Sequence, residues 1–271
     1  MKILILGTNI KTLVNFRGLL IQDIIKKDID VMAASLVPDS DSFINISKFG
    51  VTYKTIHLQR NGLSLTGDIR TFVNLLKLLK NQKPNLVLAY GIKLIIWGGL
   101  SARLTRTPFF ALITGLGFAF QGDSLKRKFL TKLVTFLYKI ALKNSKSVIF
   151  QNKDNQNTFI DKGIVPRSKT HIVNGSGVDI KKYSVTKFPK AHVSFLCISR
   201  LLSEKGLREY AAAARIVKDK FPNVKFDLVG PEDSSPDTIS LEEVSRWSDY
   251  VNYNGSTNDI RPHIEKCHVY V

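Results

Sequence analysis

Short aliphatic runs of strand length alternate along this chain with longer segments whose apolar residues recur every three or four positions. Strand-like runs fall at Lys2–Leu6, Asp30–Ser35, Thr52–Leu58, Leu86–Tyr90, Phe109–Thr114, Ser147–Asn152 and His171–Asn174. The spacers between them are amphipathic or polar, and this alternation predicts a parallel sheet covered by helices. From Thr66 to Gln82, Ile69, Phe72, Val73, Leu76 and Leu79 form one helical stripe, and Pro84 closes it before the next strand. The pattern lapses between Asn174 and Lys190, which hold Gly175, Gly177 and Pro189. It restarts with Val193–Ser199, Leu207–Phe221 and Val224–Val229, so a boundary near residue 185 is expected, with one domain over 1–185 and another over 186–271. The restart continues through Tyr250–Asn254 and a short helix at Asp259–Lys266, and reaches His268–Val271. A parallel strand needs a crossover to bury it, so the second domain is expected to be incomplete here by roughly a hundred residues.

The hydrophobic content of 44% against 23% charged residues is that of a globular chain. A formal charge of +18, from 40 Lys+Arg against 22 Asp+Glu, favours an anionic partner such as a nucleotide, a nucleic acid or an anionic membrane face. The apolar start Met1–Leu6 is too short for a secretory leader and reads as a buried first strand. Apolar stretches are interrupted by Lys93 and Arg103, and later by Lys132 and Lys139, which argues against a membrane span. Cys197 and Cys267 sit in strand-like contexts and read as buried, reduced thiols suited to a cytoplasmic setting.

The candidate chemistry is cationic. Arg200 and Lys205 lie where the run Val193–Ser199 gives way to a helix, and ligands of parallel sheets collect at such strand exits. Arg presents a planar fork to phosphate oxygens and Lys a point charge, while the next helix adds free N–H donors. The alternative is that both cations are simply solvated. Gly7-Thr-Asn9 allows a tight turn but lacks the Gly-rich dinucleotide fingerprint. Phe16 and Arg17 open the next helix, where Phe16 either faces a cleft or staples the helix to the sheet. Thr114-Gly-Leu-Gly117 ends a strand, and its glycines permit close backbone approach or merely satisfy a turn. Glu232 and Asp233 read as solvated carboxylates. Histidines 57, 171, 192, 263 and 268 show no metal-ligand spacing, so no structural metal is expected.

Between Lys126 and Lys143, Phe129, Leu130, Leu133, Val134, Leu137, Ile140 and Ala141 share one helical face. Lys128, Lys132, Lys139, Lys143 and Lys146 share the other. Such a helix can pack on the protein's own sheet and still turn its lysines toward anionic lipid.

Several motifs occur in one order: Asn15-Phe-Arg17, Ile92-Lys93 ahead of Gly98-Gly-Leu-Ser-Ala102, Thr114-Gly-Leu-Gly-Phe118, Asn174-Gly-Ser-Gly-Val-Asp179, Ser199-Arg-Leu-Leu-Ser-Glu-Lys-Gly206 and Asp259-Ile260. Together they resemble the GT-B glycosyltransferases of family 4, and within them enzymes that extend lipid-linked sugars for bacterial capsule, O-antigen or glycoprotein glycans. The resemblance implies two Rossmann-like domains facing a cleft. The first takes a polyprenyl-diphosphate-linked saccharide and the second a nucleotide sugar, usually a UDP-sugar. It implies that Arg200 and Lys205 hold the donor diphosphate and that the anomeric configuration is retained. It also implies that Thr114, Gly115 and Gly117 line the cleft, while Asn15, Arg17 and Lys93 face the acceptor. No metal or cofactor is implied beyond the donor, and the setting is the inner face of the cell membrane. Some relatives carry a histidine where this chain has Tyr90-Gly-Ile92-Lys93, so no histidine role transfers. The family's Glu-x7-Glu segment would follow a strand matching His268–Val271, beyond this sequence. A UDP-sugar 2-epimerase of the same fold and a nucleic-acid-binding protein are the alternatives. The second lacks aromatics interleaved with basic residues or a known recognition helix.

Overall fold

A computed structural model describes residues 1–271 except 38, 39, 60–63, 118, 119, 121–123, 191, 234 and 236. Phe118, the last residue of the Thr114 motif, therefore lies outside the described residues. The chain divides into two compact units, Met1–Val178 and Asp179–Val271. The division thus falls at the end of the glycine-containing segment 174–178 rather than near 185.

In the first unit the strands are β1 (Lys2–Leu6), β2 (Asp30–Ser35), β3 (Thr52–Thr55), β4 (Leu86–Tyr90), β5 (Phe109–Ile113), β6 (Ser147–Phe150) and β7 (Thr170–Ile172). They form one sheet in the order β3-β2-β1-β4-β5-β6-β7, parallel throughout. The chain winds outward from β1 to β3, then crosses back to lay β4 on the other side of β1. That reversal leaves a crevice at the carboxyl ends of β1 and β4, the usual ligand position in such sheets. The crossover helix is α3 (Leu65–Gln82), after α1 (Ile10–Ile25) and α2 (Ser40–Ser47). Next come α4 (Ile92–Leu104), α5 (Leu125–Leu142) and α6 (Lys153–Asp161). One sheet face is covered by Leu75 and Leu79 of α3, Leu94 and Ile95 of α4, and Val134, Tyr138 and Leu142 of α5. The other is covered by Ile10, Leu13 and Ile21 of α1 and Ile46 of α2.

Two expected helix faces are rotated. In α3 the buried positions are Asp68, Thr71, Leu75 and Leu79, while Ile69 and Val73 are exposed. The helix buries a polar pair because Asp68 meets a cation and an indole on α4, described below. In α5, Val134, Tyr138, Ala141 and Leu142 are buried, but Phe129 is 68% exposed, on the outward side with Leu125 at 86% and Phe136 at 58%. At 100° per residue these three share an arc with the exposed Lys128, Lys132, Lys139 and Lys143.

The second unit contains β8 (Ser194–Ile198), α7 (Leu207–Lys220), β9 (Lys225–Val229), α8 (Leu241–Ser245), β10 (Asn252–Tyr253), α9 (Arg261–Glu265) and β11 (Val269–Tyr270). Its parallel strands run β10-β9-β8-β11. The order reverses at β8, so the carboxyl end of β8 is the switch point of this sheet. Leu207, Tyr210, Ala211 and Ala214 of α7 pack on Phe226 and Leu228 of β9, with Phe226 stacked on Phe195. Cys197 is buried in β8, whereas Cys267 precedes β11 and is only partly covered.

Candidate functional site

The carboxyl end of β8 is shaped by an unusually close backbone approach. Gly230, the residue after β9, has φ +154°, and a Cβ there would lie 1.7 Å from the carbonyl oxygen of Ser199. Only glycine lets the two strand exits come this near. The loops beyond are tied together: Leu201 N–H donates to the Pro231 carbonyl at 3.0 Å, Ser203 N–H to Asp237 at 3.0 Å, and Ile239 N–H back to Leu201 at 2.9 Å. Arg208 adds a two-pronged bond from α7 to Glu243 of α8, with Nη2 donating to Oε2 at 2.8 Å, while its Nη1 reaches Ser203 Oγ at 2.9 Å.

On this braced loop stand Arg200 and Lys205. Arg200 Nη1 donates to Asp233 Oδ2 at 2.6 Å, and Asp233 also accepts from Ser235 N–H at 3.0 Å. Asp233 is therefore not the solvated carboxylate expected; its side chain is 13% exposed against 45% for Arg200. Lys205 closes a 3-10 turn over Ser203–Lys205 and is exposed, with no ion pair among the described residues. Gly206, at φ +70°, then starts α7 without a side-chain cap, so the first N–H groups of that helix remain available beside the two cations. Cations and free N–H donors converging on a switch point suit a diphosphate.

In the first unit the crevice between β1 and β4 is equally tight. A Cβ on Gly7 would lie 2.4 Å from the Tyr90 hydroxyl, and one on Gly91, at φ +87°, would lie 2.4 Å from Thr8 Cγ2. Tyr90 shares a hydrogen bond with Thr12 Oγ1 at 3.0 Å, and burial pushes its pKa up to about 12. Asn9 caps α1 by accepting from Lys11 N–H at 2.7 Å. Arg17 and Phe16 thus lie inside α1 rather than opening it. Their environments oppose the stapling reading, because Phe16 is 57% exposed and Arg17 only 5%.

Arg17 lies over the Tyr90 ring, its Cζ 5.2 Å from the centroid. Its Nη1 donates to the Phe16 carbonyl at 3.0 Å and to Ser176 Oγ at 2.7 Å, and Gln151 Nε2 reaches the same hydroxyl at 3.1 Å. The Arg17 Nε is buried without an acceptor among the described residues. Burial lowers the guanidinium pKa from its ordinary value, with Tyr90 acting weakly the other way. Asn15 is exposed on the same helix.

Lys93, in the first turn of α4, is drawn elsewhere. Its Nζ lies 2.9 Å from Asp68 Oδ1, an ion pair without the angle of a directed hydrogen bond, and Trp97 Nε1 donates to the same oxygen at 3.3 Å. Thr114 and Gly115 are exposed beyond β5. A Cβ on Gly115 would meet nothing within 4 Å, whereas Gly117 has φ +65° and a Cβ there would lie 3.1 Å from Ile92 Cδ1. Gly117 thus answers to a turn and to the start of α4, and Gly115 to neither. The structure joins Arg17 to Tyr90 and Ser176, and among the described residues no hydrogen bond or ion pair links Arg17 or Asn15 to Lys93. Asp68, Asp233, Ser176 and Gln151 are partners that no spacing in the sequence indicates.

Among the described residues no group of three His, Cys, Asp or Glu side chains could hold a metal ion, and no helix is long and apolar enough to cross a membrane.

Residues 2–152 match the family described as glycosyl transferase 4-like. The chain belongs to that family. It is 26% identical over 254 residues to the N,N'-diacetylbacillosaminyl-diphospho-undecaprenol alpha-1,3-N-acetylgalactosaminyltransferase of Campylobacter jejuni, covering 87% of this chain and 65% of that protein. It is also 26% identical over 181 residues to the UDP-Gal:alpha-D-GlcNAc-diphosphoundecaprenol alpha-1,3-galactosyltransferase of Escherichia coli, covering 62% and 46%. The chain therefore spans less than two-thirds of the length of these glycosyl transferase relatives. Among solved structures, Anabaena HepE in complex with UDP-glucose superposes with a TM-score of 0.72 at 17% identity, covering all of this chain and 73% of that one. A putative UDP-N-acetylglucosamine 2-epimerase from Listeria monocytogenes gives 0.65 at 12%. Likeness at this level shows the fold, two parallel-sheet units of the GT-B kind, which transferases and an epimerase share.

Proposed function

We propose that this chain serves a retaining glycosyltransferase that moves a sugar from a UDP-sugar to a polyprenyl-diphosphate-linked saccharide in bacterial surface glycan synthesis. The observation that carries the reading is the placement of Arg200 and Lys205 beside the uncapped start of α7, at the switch point of the second sheet. When the sugar–phosphate bond breaks, negative charge grows on the departing diphosphate. Cations already held in place stabilise that charge without reorganising, which lowers the barrier more than it tightens the ground state. The relatives named above act on undecaprenyl-diphosphate-linked sugars, and HepE was solved with UDP-glucose, which supports the same donor and acceptor classes here.

In the first unit, Arg17, Asn15 and the Thr114–Gly117 loop form the acceptor side, and the buried Arg17, which pairs with no carboxylate among the described residues, fits an anionic group. Lys93 contributes there after exchanging Asp68 for the acceptor. The acceptor is a membrane lipid, and α5 supplies the contact: its outward arc joins Leu125, Phe129 and Phe136 to four lysines, apolar side chains for the interface and charges for anionic headgroups at the inner membrane face.

Incubating the protein with labelled UDP-sugars and a polyprenyl-diphosphate sugar tests this. A longer lipid product with the donor's anomeric configuration is expected, and Arg200→Ala or Lys205→Ala should lower turnover by about a hundredfold while weakening UDP binding less. A changed nucleotide sugar with no longer lipid would replace transfer by epimerisation.

A further inference from the structure

Two cations on one loop serve one diphosphate only if their separation is fixed, and backbone pairing fixes just part of this loop. Leu201 and Leu202 bridge to Glu232 and Thr238. Beyond them the turn to Lys205 closes on its own backbone, Lys205 N–H donating to the Leu202 carbonyl at 3.0 Å and Gly206 N–H to Ser203 at 3.3 Å.

The side chain that ties this turn down is Arg208, in the first turn of α7. Its Nη1 donates to Ser203 Oγ at 2.9 Å, while Nε and Nη2 donate to the two carboxylate oxygens of Glu243 at 2.5 and 2.8 Å. All three guanidinium nitrogens are committed. Ser203 Oγ in turn donates to the Asp237 carbonyl at 3.0 Å, and the Asp237 side chain accepts from Ser235 Oγ. Ser235 N–H donates at 3.0 Å to Asp233, the carboxylate that holds Arg200. Hydrogen bonds therefore run without a gap from Arg208 to Arg200, with Lys205 carried by the turn that Ser203 begins.

Stability gives little reason for this chain of bonds. The Arg208 and Glu243 side chains are 50% and 30% exposed, and ion pairs so placed add little to folding. Glu243 also neutralises the charge of Arg208, which leaves the planar fork as its contribution. An ammonium is a point charge that cannot span Glu243 and Ser203 in this geometry.

We infer that Arg208 is a positioning residue for sugar transfer, setting where Lys205 and Arg200 stand as the departing diphosphate gains charge. The inference rests on the donor reading proposed above. Pre-placed charges act mainly in the transition state, and a misplacement of about 1 Å costs up to about a hundredfold in rate.

Transfer rates and calorimetric UDP affinities of Arg208→Lys, Arg208→Gln and Glu243→Gln test it, with thermal unfolding as the check on folding. Both arginine variants are expected to lose about thirtyfold in turnover but only about threefold in UDP affinity. Glu243→Gln should also lose turnover, about tenfold, although removing a negative charge would by itself tighten UDP binding. Arg246→Gln removes an equal charge from the exposed pair with Glu242 and should change turnover by less than about twofold. On a Lys205→Ala background Arg208→Gln should cost less than about threefold, because a positioning residue loses its effect with the group it positions. Full activity in Arg208→Lys with loss in Arg208→Gln would make charge the cause and overturn the inference. So would a full additional loss on the Lys205→Ala background, or parent-like turnover in all three variants of an active parent. A parent that neither binds UDP nor transfers sugar would remove the donor reading itself, and the inference with it.

Discussion

Arg200 and Asp233 are joined at 2.6 Å between Nη1 and Oδ2, so the cation at the mouth of the second sheet already has a carboxylate partner. A bound diphosphate competes with that carboxylate. Asp233→Asn keeps the shape and the acceptor for Ser235 N–H while removing the charge, and UDP affinity should rise about three- to tenfold, with half-exposure of Arg200 keeping the effect modest. Calorimetric titration of UDP checks this. Unchanged or weaker binding would show that Asp233 orients Arg200 rather than competing for it.

Two glycines that look alike in sequence should respond differently to substitution. Gly230→Ala puts a methyl group into the Ser199 carbonyl and should destabilise the second unit by about 3 kcal/mol or more, because backbone rather than a flexible side chain must move. Gly115→Ala meets open space and should change stability by less than about 0.5 kcal/mol. Urea unfolding of both variants measures the contrast, and similar midpoints would contradict the tight crossing at Gly230.

Arg17→Met separates burial from binding. It removes the ring contact with Tyr90 and the bond to Ser176, but also the cost of a buried cation whose Nε has no acceptor among the described residues. These oppose each other, so stability should stay within about 1 kcal/mol of the parent. Transfer to a lipid-linked acceptor should fall by at least about tenfold if the cation holds the acceptor's anionic group. Thermal unfolding and transfer rates, measured on the same preparation, distinguish this from a purely structural arginine, whose loss would lower both.

Acid should weaken the link between α7 and α8. The hydrogen bond from Arg208 holds Glu243 below the ordinary carboxylate range, against a smaller opposing effect of burial. A carboxylate with a depressed folded pKa adds stability that is fully present above its unfolded pKa and is lost as pH falls through the folded value. The stability difference between the parent and Glu243→Gln should therefore be largest near neutral pH and shrink below the ordinary glutamate range. Urea unfolding across that acid range measures it, and a difference independent of pH would rule out the ionised pair as its source.

Much of the fold was legible because strands and helices leave local marks. All seven strand runs of the first unit appear within a few residues of their sequence positions; the central strands are marked because a strand buried on both faces is apolar along its length, while the edge strands β3 and β7 are short and more polar. Helical faces were less legible where polar residues were buried. The stripe expected in α3 missed Asp68, whose partners Lys93 and Trp97 come from another helix, and the apolar face drawn for α5 wrongly included Phe129. Periodicity distinguishes apolar from polar positions but not which apolar side chain finds a surface to cover.

The sequence alone determined the alternation of elements, the two cations after β8 and the excess of positive charge, because each depends on residues adjacent in the chain. Tertiary structure alone decided which cations are paired, since Asp233 lies 33 residues from Arg200 and Ser176 lies 159 from Arg17. Those distances close only when β9 settles in register beside β8 and when the loop after β7 returns to α1. Hydrogen bonds and ion pairs close only within about 3–4 Å, and only the packed strands determine which groups come that near.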